Sequence, residues 1–315
     1  MSYSFLRESK LYIVYGGNKY RIYTSSAITF NQTFAEESYS VKTLHDQSKM
    51  FEGSSITKAN PASFSFDVPL TIEKEESPVL TLASDLNSSN ILTSFDMYIQ
   101  TGSSTFKLEG AVITSASFDF VPQNQVTMRV EGEGKKLTRV GNESYDWHSA
   151  YTAPSGSNWD TDGSNQLSSS TRTPLIVYPV ITLTGKDMSH ILSINLNIQN
   201  EMTWTPYETL HDSLDSTMMF PSAHTVEKRI ISGEIRQYQT DNNVIQFDDF
   251  STDTQLTIKA IKVGEASNAT PFFQIAIDPI MFTARMQPTE VYTQSYDFRS
   301  LRNTDSVSTQ ITQYI

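Results

Sequence analysis

The sequence predicts an all-β protein with short flanking helices, built from one module written twice. Three observations carry this reading. The tetrapeptide Thr43, Leu44, His45, Asp46 returns as Thr209, Leu210, His211, Asp212. The flanks follow in the same order at nearly the same offset: Ile28 and Phe30 alternate with polar residues before the first tetrapeptide, and Ile194, Leu196 and Ile198 do so before the second. Downstream, Phe64, Phe66, Val68 and Leu70 alternate in one copy and Ile231, Gly233 and Ile235 in the other, one residue out of step, and Pro122 or Pro288 precedes a strand beginning at Val126 or Val291. Alternation is the strand period, and a repeat on this scale sets the architecture. The copies are placed at 1–137 and 175–302, with a Ser/Asn/Asp/Gly-rich linker over 138–174 and a polar tail over 303–315.

In chain order, Leu11 to Tyr15 and Tyr20 to Tyr23 flank a Gly-rich link and predict a hairpin. The strand at Ile28 and Phe30 leads into a long polar stretch, Glu36 to Pro61, which returns as Glu201 to Val226. A connection of that length, kept twice, predicts a functional loop. Ser63 to Ile72 predicts a strand covered on one face. Ser77 and Pro78 open a short helix, as N-cap and first helical residue. Strands resume at Phe95, Met97 and Ile99, at Val112 to Val121 and at Gln125 to Leu137. In the second copy, strands are expected at Val180 to Thr184, then after a turn at Gly185 over 191–198, over 229–238, and around Ile275, Ile277, Ile280 and Phe282, with Asp248 and Asp249 capping a helix.

Composition narrows the function classes. Length suits two domains, and 17 Phe with 15 Tyr among 38% hydrophobic residues can fill two sandwich or barrel cores. No apolar run approaches a membrane span, and the first residues hold no apolar signal core, so the chain is expected to be made and kept in a cytosol. Absence of cysteine removes disulfides, thiolate metal sites and cysteine nucleophiles. A net charge of −12 opposes tight binding of nucleic acid, although not passage beside it.

Candidate chemistry is sparse. His45-Asp46 and His211-Asp212 could serve as base and orienter or as metal ligands, but no third ligand or nucleophile recurs with them, which favours a packing role. Asp160, Asp162 and Asn165 are spaced somewhat like a calcium loop without its downstream bidentate Glu. Glu73, Glu75 and Glu76 read as a solvated turn before the helix. No phosphate loop, nucleophile elbow or basic-aromatic cluster is present, so neither a catalytic site, a metal nor a cofactor is expected.

The opening Phe5 to Val14, the strand-loop-strand from Ile28 through Thr43–Asp46 to Leu70, and the closing strand from Val126 to Leu137 resemble tail tube proteins of long-tailed bacteriophages, most closely the siphophage type that carries the tube domain twice. That resemblance implies β-sandwich or barrel-like tail tube domains whose inner strands close one ring barrel on oligomerisation. A duplicated protomer using head-to-tail contacts closes a pseudo-sixfold ring with three chains. It also implies a virion protein, a tail tube subunit stacked as rings into a conduit for DNA. The implied partners are further copies of the chain, the tape measure protein, the tail terminator and distal tail or baseplate proteins, with transient passage of DNA and no membrane insertion. The expected contacts between rings or subunits are the loops holding Thr43, Leu44, His45, Asp46 and Thr209, Leu210, His211, Asp212. The expected lumen face carries Asp67, Asp119, Glu131, Glu133 and Glu234, with Lys135 and Arg236 fewer in number. Two other readings stay open: a baseplate hub or distal tail protein capping the tube, and a carbohydrate-binding sandwich or glycan-active enzyme with Trp147 and Trp159 as platform.

Overall fold

The computed structural model describes residues 9–15, 18–40, 52–72, 76–84, 89, 91–101, 104–142, 173–205, 220–243, 254–288, 290–300 and 311–313. Strands dominate. The first half holds β1 (Lys10–Tyr15), β2 (Asn18–Ile22), β3 (Thr29–Asn31), β4 (Phe34–Ser40), β5 (Glu52–Ala59), β6 (Ala62–Pro69), helix α1 (Ser77–Ser84), β7 (Phe95–Gln100), β8 (Ser104–Phe120), β9 (Thr127–Gly134) and β10 (Lys136–Asn142). The second half holds β11 (Val177–Leu183), β12 (Ile191–Trp204), β13 (His224–Tyr238), β14 (Thr254–Lys262), β15 (Phe273–Gln287), β16 (Thr293–Ser300) and β17 (Ile311–Gln313). Among the described residues no helix is long and apolar enough to cross a membrane.

Two long strands tie the sheets together. The first part of β8 pairs with β7 and β10, and the part after Ala111 pairs with β9 and then with β12. Likewise the first part of β15 pairs with β14 and β17, and its end pairs with β16. One sheet therefore runs β3-β6-β9-β8-β12-β13-β16-β15, two runs of four strands in the same order, joined where β8 meets β12. The order is set by hairpin and Greek-key connections between antiparallel strands, whose inward residues alternate with outward ones. A second layer of strands, with β1, β2 and β7 in the first half and β11 and β14 in the second, completes each half. Among the described residues no barrel closes within the chain.

The core lies between the layers. Phe64, Phe66, Val68, Phe118, Val130, Leu196, Ile235 and Phe298 point inward and are buried. Phe273 meets Phe118 and Phe120 at ring-centroid distances of 6.2 and 5.7 Å, so the halves share aromatic packing. The chain also crosses back at Leu175, whose N–H donates to Leu70 O at 2.9 Å while its carbonyl accepts from Val126 N at 3.1 Å.

A Phe–Gly cross-strand pair recurs in both runs. Phe64 faces Gly132 between β6 and β9, and Gly233 faces Phe298 between β13 and β16. A Cβ on Gly132 would stand 2.2 Å from the Phe64 ring and 2.3 Å from Val112 O; on Gly233 it would stand 2.7 Å from the Phe298 ring and 2.0 Å from Asn195 O. Only glycine lets ring and backbone come this close.

Several expectations hold: the first hairpin, the strand at Ser63 with its apolar face, the short helix, and the turn at Gly185, where Lys186 N donates to Leu183 O at 3.0 Å. Others are corrected. The long polar stretches are not loops throughout. β4 and β5 pair from Phe34↔Ala59 to Ser40↔Glu52, and β12 and β13 pair out to Trp204↔His224, so the described part of each stretch belongs mainly to a hairpin arm. Glu76 is not solvated: it is buried, and its carboxylate accepts from Thr71 N at 2.8 Å and Thr71 Oγ1 at 2.9 Å. The strand expected up to Leu137 breaks at Lys135 and continues as β10 to Asn142, and β17 pairs with β15 at Ile311 to Gln313. The helix expected at Asp248 lies outside the described residues.

Replacing Gly233 with alanine is expected to push β12 from β13 and cost about 1–3 kcal/mol, measured by urea unfolding. Unchanged stability would show that the strand spacing does not depend on that glycine.

Candidate assembly interface and polar face

Cross-strand partners share a face of a sheet, so the registers assign the uncovered face residue by residue. Asp67 faces Arg129, Ser65 faces Glu131 and Ser63 faces Glu133. Glu131 and Arg129 face Ser115 and Ser117 on β8, and Asp119 faces Asn195 on β12. Asn195 faces Glu234, Glu234 faces Asp297, and Asp297 faces Thr283. All five expected acidic residues, Asp67, Asp119, Glu131, Glu133 and Glu234, thus lie on one polar face. Lys135 lies just beyond β9, and Arg236 shares the face with them.

The face is not uniformly acidic. In the first run Asp67, Asp119, Glu131 and Glu133 outnumber Arg129, which lies 3.5 Å from Glu131. In the second, Glu234 and Asp297 meet Arg236, Arg285 and Arg299, with Arg285 Nη2 2.8 Å from Asp297 Oδ2. Sequence reasoning named Arg236 but missed Asp297, Arg285 and Arg299, although alternation with Tyr296 and Phe298 was there to find the residues of β16. Shallow hollows of 300 and 410 Å³ lie at matching places, lined by Ser63, Glu131 and Glu133 in one run and Ser232, Asp297 and Arg299 in the other.

The joint between the runs is built from both faces. On the core side Leu196 lies opposite Phe118, both buried. On the polar side Asn195 Nδ2 donates to Asp119 Oδ1 at 2.5 Å, and the Ser115 hydroxyl to Asn197 Oδ1 at 3.3 Å. Beyond the paired strands, the β12–β13 arm lies over the first half. Val226 packs with Val112 and Leu92 in a separate buried cluster, edged by Met202 and Trp204. Trp204 Nε1 donates to Glu133 Oε2 at 2.6 Å, and its ring stands 5.4 Å from that of His224. Glu133 is therefore engaged in the joint. Phe220 meets Phe34 at 6.5 Å and carries Lys136 Nζ 4.8 Å above its ring.

The arms end beside the two tetrapeptides. Thr43 to Asp46 fall between β4 and β5, and Thr209 to Asp212 between β12 and β13; both lie outside the described residues. So do Trp147, Trp159, and Asp160 to Asn165.

Residues 1–142 and 154–315 match the Bacteriophage Baseplate Tube Protein Family. The chain belongs to this family. Membership makes it a structural protein of the phage tail or baseplate, carried in the virion and built to assemble into a tail structure. No curated protein matches the chain.

The arm joint should respond to pH through His224. Burial pushes the imidazole below its ordinary value; a hydrogen bond with the Leu92 backbone opposes this, and Lys135 adds to it. An unfolded histidine titrates at about 6.5, so as pH falls through that value the unfolded chain takes up a proton first. Stability from this group is full above that pH and is lost progressively below it. His224→Gln is expected to show a smaller drop in melting temperature than the parent between pH 7.5 and pH 5, the two compared by calorimetry. Equal drops would remove His224 from the account.

Proposed function

We propose that this chain is a tube subunit: three copies close a ring with pseudo-sixfold symmetry, and rings stack into a hollow conduit for DNA. The joint of β8 with β12 carries the reading. It joins the last strand of one four-strand run to the first strand of the next, a head-to-tail contact between like units. The same two kinds of edge are left at the ends of the sheet: β3 pairs only with β6, and the end of β15 only with β16, among the described residues. Repeating the joint between chains pairs those edges, and rotation by like steps closes a ring instead of a filament when the steps complete a turn. Closure removes edges that would otherwise recruit strands without limit.

In this ring the core face turns outward onto the second layer, and the polar face lines the lumen. A wall of carboxylates, amides and hydroxyls, in which Arg129 and Arg285 lie beside Glu131 and Asp297, offers phosphates few unopposed cations. DNA then slides by, the tape measure protein, tail terminator and distal tail proteins meet the ring ends, and Thr43 to Asp46 and Thr209 to Asp212 are kept as candidate contacts between rings or subunits.

The family description favours a second form of the same reading, a ring or short stack within the baseplate in place of the long tail tube. Negative-stain microscopy of the purified chain is expected to show rods with a central hole for a tube subunit and single rings for a baseplate element. Compact monomers at all concentrations would contradict both.

The lumen assignment has its own test. Replacing Asp67 and Asp119 together with lysine is expected to leave rings intact and to slow DNA release from virions. Release at the parental rate from correctly built virions would put the polar face elsewhere.

A further inference from the structure

The two arms occupy equivalent places but not equivalent surroundings. Both carry a bulge at the same point, between Ala35 and Glu36 in β4 and between Glu201 and Met202 in β12. Both lead into a run containing one Phe–Gly pair, Phe64↔Gly132 or Gly233↔Phe298. Counting along the paired strands from these landmarks, Glu36 stands where Met202 stands and Ile56 where Val226 stands. On the receiving side, Met281 faces Arg299 as Val112 faces Glu133. Exposure separates the pairs. Val226 and Val112 are 4% and 0% exposed, Ile56 and Met281 are 56% and 40% exposed. Apolar side chains are kept at both places, and only one pair has its partner within the chain.

We propose that the joint between neighbouring chains is an ionic counterpart of the joint within the chain: Glu36 and Ile56 on the β4–β5 arm of one copy dock on Arg299 and Met281 of a second copy. This rests on the ring reading and names the surface that makes the ring. Within the chain, the arm is held by Met202 and Trp204 over Val112 and Glu133. Between chains, a carboxylate at Glu36 replaces the Met202 thioether, and a guanidinium at Arg299 replaces the Glu133 carboxylate. Arg299 is exposed, its Nη2 reaches the Met281 sulfur at 3.8 Å, a weak acceptor, and among the described residues no carboxylate lies within ion-pair distance of it. Carrying the β12–β8 register across the chain boundary sets Thr29 opposite Gln287 and Phe30 opposite Met286. It also brings the Thr283 hydroxyl to Asn31, as Ser115 meets Asn197 within the chain.

The two joints then differ in kind. The inner one combines a buried apolar cluster with hydrogen bonds and lies within one chain. The outer one depends on a charge pair screened by salt, so rings form and part with ionic strength while each chain keeps its own eight-strand sheet.

The chain has no cysteine, so introduced thiols report cleanly. Thr29→Cys with Gln287→Cys in the full chain is expected to cross-link neighbours on mild oxidation, up to covalent trimers, because directly opposed residues fall within disulfide reach. Thr29→Cys with Thr283→Cys is four residues out of register, roughly 13 Å, and is expected to stay uncrosslinked. Glu36→Arg or Arg299→Glu alone should raise the concentration for half-assembly about tenfold at low salt, and the double reversal should return it to within about threefold of the parent. Ring mass of the parent is measured alongside. Parental rings with no Thr29–Gln287 cross-link, or with no rescue by the double reversal, overturn this joint and leave the ring reading standing. A parent that forms no ring at any concentration overturns the ring reading and the joint with it.

Discussion

The structure depends on one constraint: backbone groups at the edge of a sheet must find partners. β8 and β12 satisfy it inside the chain, pairing Ile194 to Gln199 with Phe120 to Ser115. That pairing converts two four-strand runs into one sheet. It also makes the two ends of that eight-strand run, β3 and the end of β15, a matched set, one of each kind. The bend in β8 is what allows this, because a single strand serves the outer layer up to Ala111 and the inner sheet after it. Its counterpart β15 bends in the same way between β14 and β16.

Around that sheet the faces divide labour. Aromatic and branched residues fill the inner side, where Phe118, Phe120 and Phe273 bind the halves into one core. The outer side is left to Ser, Thr, Asn and charges of both signs. Its acidic surplus sits on the first run, while three arginines balance the second. Three copies would thus alternate acidic and near-neutral staves around a ring. The arms make the second division: one lies over its own chain through Trp204 and Val226, and the other presents Ile56 outward.

How much of this was legible in the sequence follows from which residues face a core. Phe64, Phe66 and Val68, or Ile231 and Ile235, each have one buried face, so alternation marks their strands and the five acidic residues could be placed on the opposite side. The arm strands have no such contrast. Glu36 is exposed and Ile56 is bare within the chain, so β4 and β5 carry no period and read as loop. Glu76 misled for another reason: an acid beside two others looks solvated, and only the Thr71 backbone and hydroxyl explain its burial. The match of Phe64 with Ile231 is corrected by the registers, which set Phe64 where Gly233 stands and Ala62 where Ile231 stands. The first copy breaks its strand at Asn60 and Pro61, where the second runs unbroken through β13. The tetrapeptides that revealed the repeat lie outside the described residues, so their contacts rest on the arms that lead to them.

The central claim is that the joint inside the chain is repeated between chains. A cryo-microscopy map of assembled particles tests it most directly, by tracing which strand lies beside β3. The account predicts β15 of a neighbouring chain at that edge, running antiparallel, with three chains to the ring. A β3 edge left open to solvent, or a ring of six chains, would contradict it.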